Sequence, residues 1–326
     1  MRLRDKVMKP ERPVVIYEIL PPRIVEGTIE SYAEKICTLL SQTHIDAINI
    51  PEVHAEESRG ERPVDDNERA EPREFGRLIQ DSLGIESIVN RVTVLETPEA
   101  QTDWFRSTHD DFGIENIVLV GGESSSIDYP GPSVTESSAI IRKINSDCGI
   151  DIFCGGISLP SRKVESMRML KKGVSGVDFF TTQVLYDSDD IMKMLEHYQR
   201  ACDENNQHPR RVLLSFAPIS TMKNLDFLKW LGVEIPEKTE RFLTEDLDKI
   251  KDRSIEASMK VLEDILGHVS ETGISVPLGL NIEHIMSYNF RHSVSLLQMM
   301  SKKYRKFCME TNLYSRRDRM VGASGK

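Results

Sequence analysis

Short apolar runs alternate with amphipathic stretches along nearly the whole chain, and no other feature limits its fold as much. Eight such runs occur: Val14–Leu20, Asp46–Ile50, Ser87–Val94, Asn116–Val120, Ile150–Cys154, Val177–Val184, Arg211–Phe216 and Val276–Asn281. Each is rich in Val, Ile, Leu or Phe and too short for a helix of its own, so each reads as a buried strand. The stretches between them have a helical period: over residues 28–41, Ile29, Tyr32, Ala33, Ile36, Leu39 and Leu40 share one face. Further helices are predicted over 69–82, 134–146, 161–172, 188–203, 220–231 and 244–270, and from the eighth strand to about 306. One more starts at Thr97, an N-cap with Pro98 behind it, and Gly173 reads as a helix stop. Residues 51–68 and 124–133 read as loops.

A strand followed by a helix, eight times over, predicts the α/β class and a (β/α)8 TIM barrel, a single domain over residues 13–308. A doubly wound sheet competes, but no GxGxxG follows the first strand. Residues 1–12 read as an N-terminal extension, and 309–326, with the basic Ser315-Arg316-Arg317-Asp318-Arg319, as a loose tail.

Charge and cysteine usage narrow the partners. Lys and Arg number 42 against 52 Asp and Glu, a net charge of −10, which argues against nucleic acid and gives no reason for an anionic membrane surface. No run of 18 apolar residues occurs, and the first ten residues lack the apolar segment of a secretory signal. Cys37, Cys148, Cys154, Cys202 and Cys308 are odd in number and form no CxxC, which fits a reducing, cytoplasmic compartment. His54, His284 and His292 show no metal-ligand spacing, so no metal is expected.

In a barrel of this kind the chemistry sits at the C-terminal ends of the strands. The polar residues there are Glu18, Asn49, Glu52 and His54, Asn90 and Arg91, Glu123, Thr181 to Gln183, and Asn281 with Glu283. Glu18 is the sharpest of them. A carboxyl inside an apolar strand is costly when ionised, so its pKa rises and it becomes a candidate general acid, or else a structural Glu satisfied by nearby donors. Glu123 follows Gly121-Gly122, where a ligand could come close, and is either an acceptor for two N–H groups of a heterocycle or a solvated loop carboxylate. Gln183 is either a ligand contact or a core hydrogen bonder.

These residues resemble the methylenetetrahydrofolate reductase family. Tyr17-Glu18-Ile19-Leu20-Pro21-Pro22-Arg23 is similar to the family's opening FEFFPPR, and Phe179 to Asp187 to its ITQFFFD segment. Gly121-Gly122-Glu123 stands where the family has RGD. Leu214 to Ser220, Leu231 to Pro236 and Leu280-Asn281 stand in order where it has GILP, VRIP and TLN. The resemblance implies reduction of 5,10-methylenetetrahydrofolate to 5-methyltetrahydrofolate with NAD(P)H, within one-carbon metabolism, tetrahydrofolate interconversion and methionine biosynthesis. It implies Glu18 as the acid that protonates N10, and Glu123, Gln183, Phe216 and Asn281 as folate contacts. Family members are often homo-oligomers.

The cofactor positions depart further. By resemblance, flavin or dinucleotide contacts fall at Asn90, Gly121, Gly122, Gly155, Glu165, Lys171 and Lys172. The family's Arg before the Gly-Asp pair is Gly121 here, its Thr after strand two is Pro51, its His on strand three is Asn90 and its Tyr on strand five is Gly155. Its folate-binding Arg after TLN is Ile282. Either FAD binds through changed contacts, or hydride passes directly from the nicotinamide. Two alternatives stand beside the reductase: a folate- or C1-carrier-binding subunit of a larger redox or methyl-transfer complex, and a barrel acting on another pterin carrier.

Overall fold

The computed structural model describes residues 1–54, 60–64, 68–124 and 126–311. The strands are β1 (Val15–Glu18), β2 (Ala47–Ile50), β3 (Glu86–Val92), β4 (Asn116–Val120), β5 (Phe153–Ser158), β6 (Phe179–Thr182), β7 (Arg211–Phe216) and β8 (Leu278–Glu283). The helices are α1 (Leu3–Val7), α2 (Ile29–Leu40), α3 (Pro72–Leu83), α4 (Pro98–Asp110), α5 (Val134–Cys148), α6 (Glu165–Ser175), α7 (Asp189–Glu204), α8 (Met222–Trp230), α9 (Glu237–Thr244), α10 (Ile250–Thr272) and α11 (Phe290–Thr311). All eight strands are parallel and close in sequence order, β8 pairing back onto β1: a (β/α)8 barrel. No helix among the described residues is long and apolar enough to cross a membrane.

The helices begin where the sequence supplies caps. The Thr97 hydroxyl accepts from Ala100 N ahead of α4, and Ser133 with Glu136 forms a full capping box ahead of α5. Several helix and strand boundaries differ from the pattern. Strand five begins at Phe153 rather than Ile150, because the Asn145 amide pairs with both the N–H and the C=O of Ile152 at 2.9 Å and takes that residue out of the ladder. Strand eight runs on to Glu283. The helix read over 244–270 is α10, which starts later, at Ile250, and a separate helix not read from the pattern, α9, precedes it; α6 passes through Gly173 and ends at Ser175, with Gly176 as its cap.

Side chains alternate along each strand between the barrel interior and the helix layer. Ile16, Ala47, Ile88, Val118, Phe153, Phe179 and Leu213 fill the interior, with the Phe153 and Phe179 rings stacked at 5.2 Å. The N-terminal segment belongs to this core rather than hanging beside it. Leu3 and Val7 of α1 pack against the interior residues from below. Arg211, 2% exposed at the start of β7, donates from Nε to Val7 O at 3.0 Å, from Nη2 to Lys9 O at 2.6 Å, and also to Leu278 O. A buried guanidinium spent on backbone carbonyls ties α1 to the barrel floor.

Truncating that guanidinium strands several buried carbonyls, so Arg211→Ala is expected to cost about 2–4 kcal/mol in urea unfolding. Leu3→Ala should cost a similar amount by opening a cavity. An unmoved midpoint in both would detach α1 from the core.

Candidate active site

Two residues beyond the apolar plug, the inward positions turn polar on β1, β2, β3, β6, β7 and β8, while Val120 and Ile157 keep β4 and β5 apolar. Ile16 is followed by Glu18, Ala47 by Asn49, Ile88 by Asn90, Phe179 by Thr181 and Leu213 by Ser215, with Asn281 and Glu283 on β8. The register sets Glu18 beside Asn49 on one side and Glu283 on the other, and Ser215 beside Asn281. A network results. Asn49 Nδ2 donates to Glu18 Oε2 at 2.5 Å, and Asn281 Nδ2 to the same oxygen at 3.2 Å. Asn281 Nδ2 also reaches Ser215 Oγ at 3.1 Å and Glu283 Oε1 at 3.2 Å, and Ser215 Oγ meets Thr181 Oγ1 at 3.1 Å.

Burial pushes the Glu18 carboxyl up to about 7, against the pull of the two amides. Burial also holds Glu283 well above the ordinary carboxyl range, and the charge of Glu18 adds to it. Several buried polar atoms in this layer have no partner among the described residues: Oδ1 of Asn49, Asn90 and Asn281, and both ring nitrogens of His284. Such atoms carry a desolvation cost that a ligand or water would relieve. His284 is 1% exposed, packs edge-on to Phe290 at 6.2 Å, and is pushed down to about 3 by burial and by Arg69, so its imidazole is neutral.

The strand is held there by strain. Ile285, next in line, has φ +53°, and Met286 N donates to His284 O at 2.5 Å, a three-residue turn. A β-branched residue rarely adopts that φ, and outliers of this kind gather at working sites. Above the network is a cavity of about 190 Å³ lined by Glu18, Glu283 and His284, with Arg69, Phe227 and Leu231 among its walls. Larger grooves of about 930 and 1050 Å³ lie on the helix surfaces, away from these groups.

The predicted site residues divide. Glu18, Asn281 and Asn90 share the inward layer. Phe216 does not: it is fully buried in the helix layer, because β7 turns Ser215 inward and Phe216 outward. Gln183, half-buried, donates from Nε2 to Leu231 O at 3.2 Å and accepts from Val184 N at 3.1 Å. Glu123 is exposed outside the cavity lining, and its N–H donates to Tyr129 Oη at 3.0 Å. Gly155 lies inside β5, not at its end, and a Cβ there would stand 2.5 Å from the Phe179 ring. At Gly122 a Cβ would stand 2.3 Å from the Tyr129 ring, whereas at Gly121 it would meet only Val134 at 3.6 Å. Glu165, 2% exposed, lies 3.5 Å from both Arg162 Nη1 and Lys172 Nζ. The Lys172 ammonium donates to Ile157 O at 2.7 Å, and Lys171 is exposed. Among the described residues no group of three or more His, Cys, Asp or Glu could hold a metal. Sequence reasoning passed over Ser215 and His284; alternation from Leu213 would have flagged Ser215.

A profile of the methylenetetrahydrofolate reductase family matches residues 3–289. The chain belongs to that family. Members of the family typically use FAD and NAD(P)H. No curated protein matches the chain. Among solved structures, an uncharacterised protein from Clostridium thermocellum that binds two copies of 5-methyl-5,6,7,8-tetrahydrofolic acid shares the fold, with TM-score 0.74, 23% identity, and 92% of this chain and 99% of that one covered. N-(5'-phosphoribosyl)anthranilate isomerase from Pyrococcus furiosus gives TM-score 0.43 at 11% identity, over 89% of this chain and 99% of its own.

The Glu18 carboxyl has a signature in stability. Its pKa rises from 4.5 unfolded to about 7 folded. Between those values the folded state keeps a proton that the unfolded state loses, so stability falls as pH rises through the window. Glu18→Gln is therefore expected to stabilise the fold above pH 7, by about 1–3 kcal/mol, and to change little below the unfolded pKa. Melting curves at acid and alkaline pH check the sign.

Proposed function

We propose that this protein reduces 5,10-methylenetetrahydrofolate to 5-methyltetrahydrofolate, with Glu18 as general acid and NAD(P)H as hydride donor. One observation carries the reading: an inward carboxyl, Glu18, poised near neutrality at the mouth of a family barrel and ringed by polar atoms without partners. Two amides occupy Glu18 Oε2, which leaves Oε1 to carry the proton toward the cavity. Glu18 gives that proton to N10 of the imidazolidine ring. The bond from N10 to the methylene carbon breaks, and N5 and that carbon form an iminium cation. Hydride from the nicotinamide adds to the carbon and gives the N5-methyl group. The Glu18 carboxylate left behind lies near the cation while it exists, and takes a proton back from water. An acid with a pKa near the working pH serves this exchange best.

Among the residues at the family's flavin and dinucleotide positions, Gly121 is open and Asn90 Oδ1 has no partner, but the others are crowded or engaged within the protein. The space beside Gly155 is taken by Phe179 and that beside Gly122 by Tyr129. Glu165 and Lys172, at the dinucleotide positions, are engaged with each other and with Ile157 O. These contacts favour direct hydride transfer, which the iminium's strength as a hydride acceptor allows.

The test is nicotinamide oxidation by purified protein. NADH or NADPH should be consumed only with methylenetetrahydrofolate present, by protein with no flavin absorbance in the visible. Folate binding without turnover would favour the carrier-subunit reading. Glu18→Gln is expected to lower kcat by about 10²-fold or more while folding normally. In the parent, kcat should fall as pH rises above about 7, when Glu18 loses its proton.

A further inference from the structure

We infer that Glu283 is a positioning residue that keeps a proton beside Glu18, so that the two carboxyls lining the cavity act as a dyad in which Glu18 alone gives its proton to the substrate. Only the kinetic part of this rests on the reductase reading. The two groups converge on one atom: Asn281 Nδ2 lies 3.2 Å from Glu18 Oε2, 3.2 Å from Glu283 Oε1 and 3.1 Å from Ser215 Oγ. An amide nitrogen has two protons for those three oxygens. Two carboxylates sharing so few donors repel, so one of them must carry its own proton. Glu18 has a second amide donor in Asn49, while among the described residues only the Ser215 hydroxyl adds to Asn281 at Glu283. The proton therefore settles on Glu283.

The rim contributes the cations Arg23, Arg62 and Arg69, and an anion, Glu52, already held by Arg91 at 2.7 Å and facing His54. Tyr186, whose hydroxyl is committed to Ala217 O, is held protonated by burial. His284, next along β8, is neutral and lines the same cavity with both nitrogens unpartnered. The rim cations pull the pair toward ionisation, and burial together with the mutual repulsion of two carboxylates on one amide opposes them and keeps the second proton on Glu283. When Glu18 passes its proton to N10, the Glu283 hydroxyl donates to the carboxylate that forms. No bond of Glu283 is broken, and water later returns one proton to Glu18.

Two measurements test this. The first is an infrared titration of the ligand-free protein that follows the C=O stretch of protonated carboxyls. Two steps are expected, one near pH 7 and one well above it, with the later step moving down by at least tenfold in proton affinity in Glu18→Gln. A later step that stays put in Glu18→Gln, or its absence in the parent, overturns the dyad whether or not the protein is a reductase. The second is turnover. Glu283→Leu should slow it about tenfold or more, and Glu283→Gln, which keeps an N–H donor and no charge, should recover most of that loss. Glutamine as slow as leucine, or leucine as fast as the parent, overturns the donor role.

Discussion

Two carboxyl groups share one amide nitrogen on top of an apolar plug, and the barrel is arranged to keep them there. Water would separate and ionise both. What prevents it is the layer beneath, where Phe153, Phe179 and Leu213 close the interior, and the floor below that, where α1 is held by Arg211. The plug removes solvent from below, and the amides of Asn49 and Asn281 fix the carboxyls from the side. The raised Glu18 pKa is thus a product of the whole cylinder, and the energy that burial withholds from its ionised form is what makes it useful as an acid.

The alternation of strand and helix was sufficient to read the barrel, because strands buried on both faces are short continuous apolar runs and the helices between them keep a 3.6-residue period. Strand ends were less legible. The fifth apolar run was read to stop at Cys154, yet Gly155 and Gly156 lie within β5, and at Gly155 the Phe179 ring fills the space a side chain would need. A missing side chain in the sequence says that something comes close, and does not say whether it is a ligand or another part of the chain. The same ambiguity hid Tyr129 over Gly122.

The site was half legible for a related reason. Glu18 stands out because a carboxyl in an apolar run is rare, and Asn281 followed from resemblance. Phe216 failed because a motif fixes position along a strand only to within a residue, and one residue exchanges the cavity for the helix layer. The Gln183 amide has backbone partners at Leu231 and Val184, which no local pattern announces. Glu283 was visible as a polar residue near a strand end, but its partnership with Glu18 depends on β8 closing against β1, a contact between opposite ends of the chain.

That closure also divides the labour among the titratable groups. In many sites a histidine would be the natural acid near neutrality. Here the turn at Ile285 drives His284 into the wall, where burial and Arg69 hold it neutral far below working pH. It therefore offers one N–H donor and one nitrogen acceptor at any physiological pH, a fixed pattern suited to recognition rather than to proton transfer. Proton exchange falls instead to the carboxyls, which burial moves upward into the range that the imidazole has vacated. One environment, acting with opposite sign on a base and on an acid, assigns the two roles.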